Sequence, residues 1–230
     1  MSSRILTMRT VIGAYLVLLS SPAFVAAALP VHVNDYTVDA SRSLVIIHVS
    51  RAGMASALGH DHLISSRQLS GTATYASAEL PRSQFSLQLL VNTLVVDDPV
   101  LRKQAGGKYA KAVSESARES TRRNMLSDKV LDAAVFGEIN VQGRWQSGNL
   151  TNGRLALSVS LHGVRREMNV PVQIEIDAGK LIATGKFQVR QSDFAIEPFT
   201  TLAGALAVAD MIEVDYRIVL IPGRGAGGTK

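Results

Sequence analysis

The chain has 230 residues, a formal net charge of +5, no cysteine, 18 glycines and 7 prolines, a length that fits one moderate domain or two very small ones. With 47% hydrophobic and 19% charged residues, it has the composition of a packed protein, which excludes wholesale disorder. The lack of cysteine excludes disulfide scaffolds, thiolate zinc sites, cysteine nucleophiles and a lipid anchor on an N-terminal cysteine. Basic and acidic residues alternate along most of the chain without a basic arm or recognition motif, so nucleic acid is not the expected partner.

The first 28 residues have the three parts of an export signal. Arg4 and Arg9 supply the positive region, Val11 to Leu19 the apolar run, and Ala23 and Ala26 to Ala28 the small residues before cleavage. The apolar run is shorter than the ~20 residues of a comfortable membrane span. Cleavage removes Arg4 and Arg9 and no acid, which lowers the charge from +5 to +3. The expected layout is a signal peptide at 1–28, a folded domain at 29–220 and a flexible Gly-rich tail at 221–230. The expected location is the periplasm or the medium.

Between these ends the sequence reads as successive strands. Leu44 to Val49 is β-branched and apolar, and Leu69 to Tyr75, Phe85 to Val91 and Ile139 to Trp145 alternate. In Leu155 to Leu161 (LALSVSL) the period is strictly two, so Leu155, Leu157, Val159 and Leu161 share one face. Val170 to Ile176, Leu181 to Val189 and Met211 to Leu220 complete the set. Turn residues fall between them, at Gly71, Pro81, Asn152-Gly153, Gly163 and Ala178-Gly179. Eight or nine strands at this spacing predict an all-β antiparallel barrel or sandwich.

One stretch reads as helix, from Asp98 to about Leu126. Asp98 and Pro99 are suited to the N-cap and first helical position, and Gly106-Gly107 breaks the segment, with a second helix expected from Lys108. Its apolar face (Tyr109, Ala112, Val113, Ala117) is narrow, which predicts a helical insertion lying over the barrel. Arg118, Arg122, Arg123 and Lys129 gather near its end. They either meet anionic lipid headgroups, at about 1 kcal/mol each, or form an ordinary solvated face.

The densest chemistry is Gly59-His60-Asp61-His62, in a chain with five histidines. In an extended segment His60 and His62 project to one face, about 7 Å apart. Such a pair can give two nitrogens to zinc or copper, with a third ligand from His48, His162 or Asp193. The other reading makes them polar groups at a barrel mouth. His162-Gly163 reads as a hairpin turn, and Arg190 and Asp193 as an ion pair fixing the last hairpin beside a core Phe194. Asp97 and Asp98 are neighbours that do not converge on one substrate, and capping accounts for Asp98. No nucleophile elbow, zinc-protease helix or phosphate loop accompanies these residues.

Three segments in order resemble the YceI-like proteins, bacterial lipocalin-like barrels. Tyr36-Thr-Val-Asp39 followed by Ser43 is similar to the family's first strand. Leu161-His162-Gly163-Val164-Arg165-Arg166 is similar to its "LTLHGVTK" segment, and Arg190, Ser192, Asp193 and Phe194 to its "RSDFGI" motif, with Ala195 in the glycine's place. The resemblance covers about residues 34 to 220. Arg42 and Arg51 stand where the family often has histidines, and its helical "LRSxDFFD" and following "YPxIxF" segments are degraded to Asn124 to Asp132 and Val135 to Val141.

The resemblance implies an antiparallel lipocalin-like barrel of about eight strands. It also implies a secreted carrier, not an enzyme, for a long-chain apolar ligand such as an isoprenoid, quinone or other lipid. Phe85, Leu87 and Leu89, with the period-two face of Leu155 to Leu161, are then candidates for its lining, and His60 and His62 for its mouth. The alternative is a periplasmic metal-binding protein centred on His60, Asp61 and His62.

Overall fold

A computed structural model describes residues 33–223. The expected signal segment, 1–28, and most of the expected tail lie outside the described residues.

The order is β1 (Asn34–Val38), β2 (Leu44–Val49), β3 (Arg51–Ala52), β4 (His62–Ser66), β5 (Leu69–Tyr75), β6 (Gln84–Leu90) and β7 (Val95–Val96). Helices α1 (Pro99–Ala105) and α2 (Glu115–Leu126) follow. The chain then returns to strands: β8 (Glu138–Asn149), β9 (Asn152–Leu161), β10 (Val164–Asp177), β11 (Lys180–Arg190), β12 (Thr200–Thr201), β13 (Leu206–Val208) and β14 (Met211–Pro222).

The ring runs β1-β5-β6-β8-β9-β10-β11-β14 and closes by pairing β14 back onto β1, giving eight antiparallel strands with no free edge. β14 is the hinge of this closure. One side pairs with β11 throughout, from Leu181↔Leu220 to Arg190↔Met211. The other side pairs first with β2, at Glu213 to Arg217, and then with β1, at Leu220 to Pro222. The strand thus runs two residues into the expected tail, and the Gly223 N–H still donates to the Asp35 carbonyl (2.8 Å).

The bend between β1 and β2 is stitched by Ser43, which is fully buried. Its hydroxyl donates to the Asp39 carbonyl (2.7 Å) and accepts from the Val219 N–H (3.0 Å). Beyond the bend, β2, β4 and β7 extend the wall at one end of the barrel. β4 is the longest of the strands that the sequence reading left out, the others being the short β3, β7, β12 and β13.

Two hairpins are dictated by local chemistry. His162-Gly163 joins β9 to β10, and Ala178-Gly179 joins β10 to β11, both residues of each pair having positive φ (51° and 72°, 47° and 80°). This is the two-residue turn whose twist matches that of the strands. His162 belongs to the turn, as its neighbouring glycine implies.

The interior holds two apolar clusters. One is built on Leu69, Leu89, Leu181, Ile218 and Leu220, the other on Trp145, Leu155, Leu157, Val170 and Val172. Gly143 faces Phe85 across the β6–β8 ladder, and the Phe85 ring occupies the space a side chain at 143 would need. The helical insertion starts as expected: Asp98 accepts from the Val100 and Leu101 N–H groups (2.9 Å each), and Pro99 follows. The second helix, however, begins at Glu115 rather than Lys108. Ser114 caps it by accepting from Ala117 N–H (3.3 Å), and Gly107–Tyr109 forms only a 3₁₀ turn. Met125 and Leu126 of α2 rest on the cluster of Ile64, Val91, Leu94 and Val96, so the insertion lies over one end of the barrel.

Candidate functional site: an apolar barrel cavity and a His-His-Asp cluster at its end

The barrel encloses a cavity of about 250 Å³. Phe85, Leu87 and Leu89 of β6 and Leu155, Leu157, Val159 and Leu161 of β9 all line it, because the period-two face turns inward on both strands. It runs from the end marked by Tyr75, Gln84 and Trp145 to the end marked by Leu161 and Phe194. At the latter end a second space of about 190 Å³ lies beneath α2. The two share Ile47, Ile139, Leu161, Val189, Phe194 and Ile212 as walls. Phe194, 1% exposed, stands between them. The second space is more polar, with His62, Thr121, Asn124 and Gln191 on its wall. An apolar space of this size takes up apolar molecules readily; an engineered cavity of ~150 Å³ binds benzene or xenon.

The histidine pair sits at the same end, but its geometry differs from the extended reading. β4 begins only at His62, and His60 lies in the irregular segment before it. The chain folds the two rings together, with centroids 4.5 Å apart, instead of spacing them along a strand. Asp61 turns away. It accepts from Arg51 N–H (3.0 Å) and faces the Lys108 ammonium (3.3 Å), so it is not part of the cluster. Although burial pushes the Asp61 carboxyl up, those two partners outweigh it and hold the group below its ordinary value.

The third member is Asp97, from the turn between β7 and α1. None of the expected third partners joins the pair. His48 lies between the Tyr109 hydroxyl (3.0 Å) and Asp215 (3.3 Å), His162 contacts the Phe194 carbonyl (3.2 Å), and Asp193 is exposed. No ion pair joins Arg190 to Asp193 among the described residues. Asp210 fixes that turn instead, accepting from Ser192 N–H (2.8 Å) and Ser192 O–H (2.6 Å).

Asp97 has no exposed surface. Its Oδ1 accepts from Leu63 N–H (2.9 Å) and from Arg102 of α1 (2.6 Å). Oδ2 accepts from His62 Nδ1–H (2.7 Å) and lies 3.8 Å from His60 Nε2. Burial pushes the carboxyl up, but the bonds from His62, Leu63 and Arg102 prevail and hold it below the ordinary carboxylate value. Arg102, 3% exposed, also donates to the carbonyls of Asp61 (2.8 Å) and Lys111 (3.0 Å), tying the histidine segment, α1 and the following loop together. His60 is held below its ordinary value, chiefly by burial and then by His62. Its Nε2 is buried without a hydrogen-bond partner.

Sequence reasoning set Asp97 aside because adjacent carboxylates do not converge on one substrate, with capping accounting for Asp98. The signal lay in that doubling: one carboxylate is enough to cap α1, which frees the other. Asp97 also has φ 51°, a left-handed conformation that Asp adopts more readily than most residues. Of the basic cluster, Arg122 donates to the Asn92 carbonyl and Arg118 is half-buried, so these two do not form one fully exposed patch with Arg123.

The fold and its cavity define a class: a closed antiparallel barrel with an apolar interior, of the lipocalin type. The family model of the YceI-like domain matches residues 36–220, and the chain belongs to the YceI-like family. Among solved structures, BcnA of Burkholderia cenocepacia is similar, at 11% identity and a TM-score of 0.59, over 79% of this chain and 98% of that one. The Campylobacter jejuni YceI protein is similar at 9% identity and a TM-score of 0.50, over 90% of this chain and 97% of that one. At such identities the likeness is one of fold. Comparison with curated proteins by sequence finds no match.

Proposed function

We propose that this protein is an exported binding protein that holds a long-chain apolar molecule, such as an isoprenoid, a quinone or another lipid, inside its barrel. The observation that carries the reading is the apolar cavity of about 250 Å³, extended at the Phe194 end by the second space. Two spaces in line suit an elongated guest better than a compact one. Each CH₂ transferred from water into such a space contributes about 0.8 kcal/mol, so affinity grows with chain length and needs no catalytic group. A carrier role, with no reaction catalysed, follows from this. Export rests on Arg4, Arg9, the apolar run at Val11 to Leu19 and the alanines at 26–28.

Native mass spectrometry of protein purified from the periplasmic fraction, set against its denatured mass, tests the reading. An excess of several hundred daltons that organic solvent extracts is the expected result. A bare chain from every fraction overturns lipid carriage, and full-length protein retained in the cytoplasm with residues 1–28 intact overturns export.

A further inference from the structure

We propose that His60, His62 and Asp97 form a binding site for a divalent first-row transition metal ion of the zinc type, at the α1 end of the barrel. The three residues each offer one ligand atom, and these atoms lie within 4.8 Å of one another. Tetrahedral coordination with bonds of about 2.0–2.1 Å puts neighbouring ligand atoms roughly 3.3 Å apart. The two separations from Asp97 Oδ2, 2.7 Å to His62 Nδ1 and 3.8 Å to His60 Nε2, bracket that distance. The third separation, between the two imidazoles, lies within 4.8 Å, so side-chain rotation is needed to bring all three atoms to that spacing.

The hydrogen bonding singles out the ligand atoms: Asp97 Oδ2 and His62 Nδ1 bond only to each other, and His60 Nε2 to nothing. Asp97 Oδ1 is already taken by Leu63 N–H and Arg102, so the carboxylate can offer only Oδ2. Arg102 thus acts as an outer support that orients a ligand, as partners of metal-binding side chains commonly do. His60 Nε2 is buried with no partner, which is costly for an imidazole unless something else satisfies it. On binding, the ion takes the place of the proton between His62 Nδ1 and Asp97, and His62 ligates as a neutral imidazole with its remaining proton on Nε2. Three protein ligands leave a fourth position open.

The local charge selects the class of ion. Arg102 balances Asp97, and Lys108 and Arg51 face Asp61, so a hard cation held by net charge, such as Ca²⁺ or Mg²⁺, finds no surplus of carboxylates. Two imidazoles instead favour zinc, copper, nickel or cobalt. A second cluster, His48 with Glu213 and Asp215, has similar spacing, but the Lys186 ammonium lies 3.1 Å from both carboxylates and already supplies its cation. The proposed site is independent of whether the barrel carries a lipid.

The test is zinc binding by the full chain after EDTA treatment and dialysis, measured by isothermal titration with ZnCl₂ and by metal analysis. One equivalent of zinc per chain is expected, unaffected by millimolar Mg²⁺ or Ca²⁺. His60→Ala, which removes no hydrogen bond from the fold, weakens binding by about 100-fold or more, since loss even of an outer partner typically costs 10–100-fold. His48→Ala leaves binding unchanged. Failure to retain stoichiometric zinc, binding untouched by His60→Ala, or binding abolished by His48→Ala each overturns the proposal. Circular dichroism of His60→Ala establishes that the variant is folded.

Discussion

Asp97→Asn is the most informative single substitution. It preserves shape and also suits the left-handed backbone at this position, because Asn tolerates φ near 51° as Asp does; any loss therefore reports charge and not backbone strain. The asparagine carbonyl still accepts from Leu63 N–H, but Arg102, 3% exposed, is left as a buried guanidinium without its counter-charge. Removing one partner of a buried pair costs about 3–5 kcal/mol. The lower end applies here, because Arg102 keeps the Asp61 and Lys111 carbonyls. For a domain of this size about 3 kcal/mol corresponds to a fall in Tm of roughly 6–12 °C. Urea and thermal unfolding of metal-free protein followed by circular dichroism measure it. Arg102→Met alone also destabilises, and the Asp97→Asn/Arg102→Met double variant costs less than the sum of the two. A single-variant loss below about 0.5 kcal/mol, or strict additivity, refutes the view that this pair anchors the site.

Three further outcomes follow from the geometry. His60 and Asp97 are both held below their ordinary values, so each contributes stability that is complete above its unfolded value, about 6.5 and 3.9 respectively, and declines as pH falls toward the folded value. Metal-free protein therefore weakens in two stages on acidification, and His60→Ala abolishes the stage that begins near pH 6.5; an unchanged pH–stability curve in that variant contradicts the burial argument. Ala183→Phe places a ring in the main cavity that Ala183 lines, so solvent-extractable mass falls sharply while the empty protein loses less than about 1 kcal/mol, well under the usual cost of overpacking a filled core. Undiminished ligand load in that variant places the guest elsewhere. Gly143→Ala drives a methyl into the Phe85 ring and costs about 1–3 kcal/mol, which Phe85→Leu in the same chain largely restores; a neutral Gly143→Ala shows that the ring has room to move.

The strands were legible because period two is imposed locally: a residue facing the barrel interior must be apolar whatever its partner, and β9 declares this from Leu155 to Leu161. Hairpins were legible at His162-Gly163 and Ala178-Gly179, where the turn demands positive φ. The start of α1 was legible in Asp98-Pro99. β4 was not, because its sequence, HLISS, is short and mixed, and it is held as a strand by pairing with β2. The start of α2 was misplaced since Lys108 and Tyr109 have helix-compatible side chains but serve other partners: Lys108 faces Asp61, and Tyr109 packs 5% exposed beside His48.

The same division holds for the site. By itself the sequence determined a cysteine-free all-β chain, the faces of β6 and β9 that turn inward, and a histidine pair of unusual density. Alternation and composition act through neighbouring residues, so no distant contact was needed to read them. Only the tertiary structure decided which carboxylate meets the histidines. Asp97 lies 35 residues beyond His62. The pairing of β4 with β7 carries that turn to the histidines, and Arg102 of α1 then secures it there. The closure of β14 onto β1 likewise turned an inward-facing pattern into an enclosed space, since a sheet's apolar face becomes a cavity only when its two edges meet.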